Sequence, residues 1–504
     1  MPYTNCEIGM LFETVKQKTE GSIDDQTWKD LDLKAYCAKL TLKVSILGQQ
    51  AIHLRLRQGK SDPDASVINT RYGVLMSDSE LRNDLAKTLK PLRGMENEMS
   101  NLLFGDLEIE TPLRERSVLS VQIIILLSMI SALFSLTLLL PLVFFLLFAF
   151  VAQASWLPKV ERFDPKLAGL RCILNVACEL SDLAKTRGSS VIHDFIVDFN
   201  QIEICRKGLS RSILERALPG AELYADWFFL RNIQCYFKAA KIIRQNRRFL
   251  QRCYIQLADL EADLALANHM IQSDFCWARQ HSGNRVTLID VVNPLLTGAE
   301  PVTFATDGKS VFLSGQNGSG KSTFLRTLGL NLVVGRAFGF CYASKADIPM
   351  GLVYTSIQIE DSMANGESLY IAELRRAREL LESSTGAHAG IYIVDEIFQG
   401  TNHLESVSAA AAFIHKLSRN ALTVVSSHNL ILAALLGKWL TPMQVTSIAG
   451  DIRLSPGVLD HPNGIALLAA SGFDEDISVN AARVSAWLSS YLSHPKDCPA
   501  LLKE

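Results

Sequence analysis

The chain has 504 residues and a formal net charge of −2. That length allows two or three domains, each with its own core, and the near-neutral balance excludes binding of a polyanion by bulk charge alone. Ten cysteines are scattered without a Cys-x-x-Cys pair. The simplest reading is a reduced environment, with neither a disulfide framework nor a zinc site.

Residues 1–30 intersperse Glu7, Glu13, Lys16, Lys18 and Glu20 among apolar positions, so no signal peptide is expected. Residues 1–116 show helical spacing, as in Leu31, Leu33, Tyr36, Leu40 and Leu42, and read as an N-terminal helical region. From Ser117 to Pro158 there is no charged residue. As one helix this run would span roughly 63 Å, about twice a hydrocarbon core of ~30 Å. Two helices folded back on each other fit better, with the reversal between Ser135 and Pro141. Arg114 and Arg116 before the run and Lys159 and Arg162 after it put both ends on the cytoplasmic side. The expectation is a transmembrane hairpin over 117–158; a buried core hairpin is the competing reading.

Residues 159–285 return to amphipathic helix, a helical core region. Leu250, Tyr254, Leu257, Leu260, Leu264, Ala267 and Ile271 recur every three or four positions and predict one long helix with a single apolar seam. Upstream, Lys238, Lys241, Arg244 and Arg248 predict a basic stripe on one helix face. Such a stripe suits DNA phosphates or anionic lipid, or is simply solvated. Trp227, Phe228 and Phe229 are expected in a core.

Within a domain expected over 286–504, residues 286 to about 470 alternate strand-like and helical runs, the pattern of a mostly parallel sheet with helices on both faces. Candidate strands are 286–292, 310–314, 352–359, 390–394 and 422–426. The second leads into GQNGSGKS, which fits G-x-x-x-x-G-K-[ST]. Its glycines let successive backbone N–H groups face a phosphate, its lysine reaches the β/γ oxygens, and its hydroxyl ligates Mg²⁺. Gly315, Asn317, Gly318, Ser319, Gly320, Lys321, Ser322 and Thr323 are therefore the candidate ATP ligands, with a helix N-terminus completing the anion site. At the tip of the strand that ends in Val394, Asp395 is assigned to Mg²⁺ with Ser322, and Glu396 to the general base. The strand beside the P-loop is the expected home of these acids. Gly400, Thr401 and Asn402 suit a loop against nucleotide or a partner subunit. His428, delivered by the strand 422–426, is placed to contact the γ-phosphate or orient water.

With these residues assembled, 293–477 resembles the ATPase domain of the MutS family of mismatch-repair proteins. The matching segments are Gly315–Arg326, Ile359–Glu373 (IEDSMANGESLYIAE), Ile391–Asn402 (IYIVDEIFQGTN), Val424–Leu430 (VVSSHNL) and Asn463–Ile477 (NGIALLAASGFDEDI). The helix ending in LADLEADLALA is similar to the family's lever, and the DLDL stretch beginning at Asp30 is a weaker echo of short MutS-related proteins.

The resemblance implies a homodimer with composite ATP sites, in which Ser368 crosses to the partner's γ-phosphate. ATP binding would close the dimer and hydrolysis would open it. It also shows departures. Residues 1–116 are too short for the family's wedge-bearing mismatch domain and contain no Phe-x-Glu. Asn293-Pro294 stands for the usual His-Pro, Asn429 for an aspartate, and Val302 where an adenine-stacking aromatic is expected. The leading expectation is a membrane-anchored, MutS-like ATPase coupled to DNA. The competing one is an ATP-switched membrane scaffold that binds no nucleic acid.

Overall fold

The structure, a computed structural model, describes residues 4–16, 21–59, 65–95, 99–105, 112–132, 139–189, 191–192, 198–209, 221–358, 369–385, 390–448, 451–459, 477 and 479–485. The chain divides into two units: 1–19 with 40–54 and 71–269, and 20–39 with 55–70 and 270–504.

The first unit is helical. Helix Pro112–Ala132 and helix Leu139–Arg187 carry the charge-free run. Ile125 of one and Ala149 of the other sit in the same buried cluster. The reversal expected between Ser135 and Pro141 falls largely on 133–138, outside the described residues, and Pro141 is already in the second helix's first turn. That helix continues through Pro158 and Pro165 to Arg187. The boundary expected after Pro158 is thus a change of hydropathy inside one helix; two lost ladder donors do not end it. Of the two helices, only the segment Leu140–Arg187 is long and apolar enough to cross a membrane, and Val118–Ser131 is a shorter apolar helix. Leu140, Phe144, Leu147 and Val151 recur at helical spacing and are 60–77% exposed.

Helix Arg231–Gln245 packs on this pair through Ile233 and Phe237, against Val160. Trp227 and Phe229 lie at the same contact, Trp227 with its ring 5.1 Å from Phe150, and are half-buried rather than enclosed in a core. Lys238, Lys241 and Arg244 are exposed on helix Arg231–Gln245, but Asn246 interrupts the backbone and Arg248 opens the next helix. The stripe therefore crosses a helix break instead of lying on one uninterrupted face.

That next helix, Arg247–Met270, buries Leu250, Tyr254, Leu257, Leu260, Leu264 and Ala267 as expected from their spacing. Ile271 lies past its end and is exposed. The seam is also not purely apolar, because buried Glu261, four positions after Leu257, lies on it, and buried Asp263 lies on another side of the helix. Asp263 pairs with Arg71 at 2.8 Å and accepts from the Tyr72 hydroxyl at 3.1 Å. Glu261 accepts from the Ser45 amide at 2.9 Å and from the Ser45 hydroxyl. Burial pushes the Glu261 carboxyl up, and the Ser45 bonds only partly oppose it. A carboxyl whose folded pKa is raised contributes stability below its unfolded pKa and loses it as pH rises through the folded one. The wild-type stability advantage over Glu261→Gln should accordingly shrink as pH rises from the ordinary glutamate range. Urea midpoints of both proteins across that window check the sign.

The second unit holds two sheets. Its strands are β1 (Cys276–His281), β2 (Val286–Val291), β3 (Val302–Thr306), β4 (Ser310–Gly315), β5 (Phe340–Cys341), β6 (Lys345–Pro349), β7 (Val353–Ser356), β8 (Ile391–Asp395), β9 (Leu422–Ser426), β10 (Leu440–Ile448) and β11 (Asp451–Pro456). One sheet has the order β11-β10-β4-β9-β8-β7 and is parallel except for β11. The other, β3-β2-β6-β1-β5, is mixed. The strand expected at 286–292 thus belongs to the second sheet and not to the parallel one. Its partner β3 alternates buried and exposed residues, as a strand with one solvated face does.

Helices cover both faces of the parallel sheet. Phe312, Tyr392, Val394 and Val425 pack with Ile414 and Leu417 of helix His403–Asn420. On the other face runs helix Lys321–Phe338. A Cβ on its Gly329 would lie 2.5 Å from Leu31 and 3.2 Å from Ile393; one on Gly335 would lie 2.4 Å from Ile348 of β6. The two glycines let one helix lie close to both sheets at once.

The short helix Asp25–Asp30 closes the end of β7. The buried Asp30 carboxylate accepts from the Thr355 hydroxyl at 2.7 Å, the Ile357 amide at 2.9 Å and the Gln26 side chain at 2.8 Å. Arg376 donates to the Thr355 carbonyl and pairs with Asp24 at 3.0 Å. Asp30→Ala would strand these donors and cost about 3 kcal/mol. Asp30→Asn, which keeps an acceptor, should cost clearly less in the same thermal-unfolding series.

Candidate nucleotide site

The carboxyl ends of the parallel strands bring the site together, the position at which an open α/β sheet carries a ligand. β4 ends at Gly315, β8 at Asp395 and β9 at Ser426. The acids' strand is not beside the P-loop strand as expected, because β9 lies between them. Ser426 bridges the gap. It is level with both Leu313 and Asp395, and its hydroxyl donates to Asp395 Oδ1.

The loop after β4 turns on left-handed glycines, Gly318 at φ 77° and Gly320 at φ 87°. At these φ values a Cβ is strained, and a side chain on Gly320 would also meet Ile452 at 2.5 Å. Ser319 N–H donates to the Gln316 carbonyl at 3.2 Å, and Phe324 N–H to Gly320 at 2.8 Å, which starts the helix. Lys321 folds back over the loop, its Nζ donating to the carbonyls of Gly315 at 2.9 Å and Gln316 at 3.1 Å. Burial lowers the Lys321 pKa, with Glu396 and Asp395 opposing. The charges of both acids therefore lie close enough to the amine to act on it. Asn317 and Gly318 are exposed on the loop, and Ser322 and Thr323 are half-buried in the helix's first turn.

Asp395 is buried, and Ser322 Oγ donates to its Oδ2 at 2.5 Å. Burial raises its pKa against the two serine bonds. A divalent cation beside it would favour the ionised form. Glu396 has φ 49° and Phe398 φ 63°, two strained residues at the strand tip. The Glu396 amide is tied to the Ser426 carbonyl at 3.0 Å, and its carboxylate accepts from His428 Nε2 and Gln399 Nε2. Burial pushes the Glu396 carboxyl up, but His428, Lys321 and Gln399 more than offset it and hold it below the usual value. The strained turn is braced from behind. Buried Glu373 accepts from the amides of Gln399 at 3.0 Å and Gly400 at 3.2 Å.

Ser426, Gln399 and Glu373 carry no role expected from the sequence, although all three fall inside the segments that resemble the MutS family. Thr401 and Asn402, expected at a ligand or subunit contact, are engaged locally. Asn402 caps helix His403–Asn420 by accepting from Glu405 N–H at 3.0 Å, and the Thr401 hydroxyl donates to the Glu405 carboxylate at 2.7 Å. Val302 is buried at the start of β3 opposite Val291. Ser368 lies outside the described residues.

These residues fit a polyphosphate with its cation. Among the described residues the buried Ser319 hydroxyl has no hydrogen-bond partner, in a loop whose neighbouring amides and lysine suit an anion. No group of three or more His, Cys, Asp and Glu is arranged as a metal cage among the described residues. Ser322 and Asp395 would instead complete the shell of a Mg²⁺ that takes its remaining ligands from phosphate and water, as that ion commonly does.

Residues 311–486 match the family described as MutS domain V. The chain is 28% identical over 244 residues to Endonuclease MutS2 of Thermus thermophilus, covering 44% of this chain and 32% of the relative. It is 27% identical over 262 residues to DNA mismatch repair protein MutS of Thermus aquaticus, covering 50% and 32%. A third relative, DNA mismatch repair protein MutS of Chlorobium chlorochromatii, is 25% identical over 252 residues, covering 46% and 29%. The chain thus spans about a third of the length of these relatives. The match to MutS domain V over residues 311–486 thus takes in the loop, the paired acids and His428.

Proposed function

We propose that the chain is a membrane-anchored, MutS-like ATPase in which ATP closes a homodimer of composite sites, coupled to the handling of DNA. The observation that carries the enzymatic reading is the convergence of Lys321, Ser322, Asp395, Glu396 and His428 at one sheet edge. Lys321 and the loop amides would bind the β- and γ-phosphates. Ser322 and Asp395 would hold Mg²⁺, which would supply positive charge to offset that of the phosphates. Glu396 would take the proton of the attacking water, with His428 and Gln399 fixing its carboxylate. Ser368 of one protomer would reach the γ-phosphate bound by the other. The coupling to DNA is supported by what the relatives' names say of those proteins. The anchoring is supported by the exposed apolar faces of helices Pro112–Ala132 and Leu139–Arg187, with the second unit on the cytoplasmic side.

Full-length protein purified in detergent should hydrolyse Mg-ATP and shift from monomer to dimer when ATP is added, read by light scattering. A preparation that neither binds nor hydrolyses ATP would sink the enzymatic reading. In cells, the chain should stay in the membrane pellet after carbonate washing; release into the supernatant would sink the anchor.

A further inference from the structure

Resting on the membrane-anchored reading, we infer that Lys238 and Lys241, followed by Arg244 and Arg248, form a surface for anionic lipid headgroups at the foot of the apolar helix pair. Three ring contacts fix where the stripe stands along helix Leu139–Arg187. Trp227 meets Phe150 at 5.1 Å, Phe237 meets Trp156 at 5.2 Å, and Tyr236 meets Phe163 at 4.7 Å. Trp227, on the preceding helix, is level with Phe150, and Tyr236 and Phe237 are level with 156–163, so the chain descends alongside the long helix between Trp227 and Phe237.

Phe237 is therefore level with 156–163, where the charge-free run ends at Pro158 and Lys159 lies over the Trp156 ring at 4.7 Å. At 1.5 Å per residue, Lys238 and Lys241 stand within roughly 10 Å of that edge and Arg244 roughly 13 Å beyond it, with Arg248 farther on, past the helix break. A headgroup layer is about 5–8 Å deep on each side of the hydrocarbon, and its field extends about another 8 Å at physiological salt. The two lysines fall within reach of the headgroups themselves and Arg244 within their field, while Arg248 lies beyond it.

Packing decides which way the stripe faces. Ile233 and Phe237 are buried against the apolar pair, while Lys238, Lys241, Arg244 and Arg248 are exposed. Among the described residues no carboxylate forms an ion pair with any of the four. A cationic strip fixed to a membrane-crossing helix at the depth of the phosphates is complementary to an anionic leaflet. Duplex DNA would have to approach through the same layer.

The test uses the full chain in phosphatidylcholine nanodiscs doped with chain-spin-labelled phosphatidylglycerol or phosphatidylcholine, and reads the motionally restricted fraction. Phosphatidylglycerol should be restricted in preference, with each lysine contributing up to about fivefold. Lys238→Gln with Lys241→Gln should abolish the preference while leaving the restricted phosphatidylcholine fraction unchanged. Arg244→Gln with Arg248→Gln should retain most of it. Equal restriction of the two lipids by the wild type, or an unaltered preference in the double lysine variant, overturns the assignment while the anchor stands. No restricted component with either lipid overturns both. Binding of a 30-base-pair duplex in neutral nanodiscs at low salt, lost in the double lysine variant, would assign the stripe to DNA instead.

Discussion

Lys321→Ala is expected to abolish measurable Mg-ATP binding and turnover while leaving the fold intact. The amine now sits between the carbonyls of Gly315 and Gln316 at 2.9 and 3.1 Å, held at the mouth of the loop by groups that cannot neutralise it. A phosphate there would receive charge-assisted bonds worth about 1.5–3 kcal/mol each, so losing two weakens binding by roughly a hundredfold or more. Folding should be far less affected. Burial lowers the Lys321 pKa, which means the charged amine is already partly disfavoured where it sits, and removing it relieves that cost. The check is the rise of the unfolding temperature on adding ATP. Wild type should show a clear ligand-induced shift, and Lys321→Ala none at the same concentration. If the variant keeps the shift, the lysine does not hold the phosphates. Lys321→Arg should fail as well, because a planar fork does not fit between two carbonyls that receive a compact ammonium.

What could be read in the sequence was whatever is local. The loop, its lysine and the acids at the tip of β8 are contiguous motifs whose chemistry depends on residues a few positions apart, and the structure brings Lys321, Asp395, Glu396 and His428 to one edge. Strand order is not local. Nothing in Ile391–Asp395 says that β9 separates it from β4, and so the bridging role of Ser426 stayed hidden. Glu373 escaped for the same reason, since its partners are the amides of Gln399 and Gly400, 26 and 27 positions away. The helix Arg247–Met270 was legible as a helix but not as one buried on several sides. Periodicity puts Glu261 on the apolar seam and Asp263 off it, and partners far off in the chain, Ser45 for the first and Arg71 and Tyr72 for the second, make two buried carboxyl groups there tolerable. Asp30 shows the same limit most sharply, because its role is defined by donors more than 300 positions away, at Thr355 and Ile357.

Glu396→Gln is expected to separate binding from hydrolysis. The substitution leaves Lys321, Ser322 and Asp395 in place, so affinity for ATP should stay within a few-fold of wild type. An amide cannot accept the water's proton, and loss of a general base costs about 10²–10⁴ in rate. The slow variant should then accumulate as the ATP-bound dimer, visible as a doubled mass by light scattering that persists for many wild-type turnover times. The neighbouring groups sharpen the expectation. Burial raises the Glu396 carboxyl, yet His428, Lys321 and Gln399 bring it below the ordinary glutamate range, so it stays ionised throughout neutral pH. Any acid limb of wild-type turnover that belongs to Glu396 should lie below that range, and His428→Ala, which removes the first of these stabilising partners, should move it upward. The strained φ of 49° at Glu396 aims the carboxylate, and the Ser426 carbonyl holds the amide behind it at 3.0 Å. Wild-type turnover in Glu396→Gln would show that the proton goes elsewhere, and His428, in contact with the same carboxylate, would be the first group to reassign as the base.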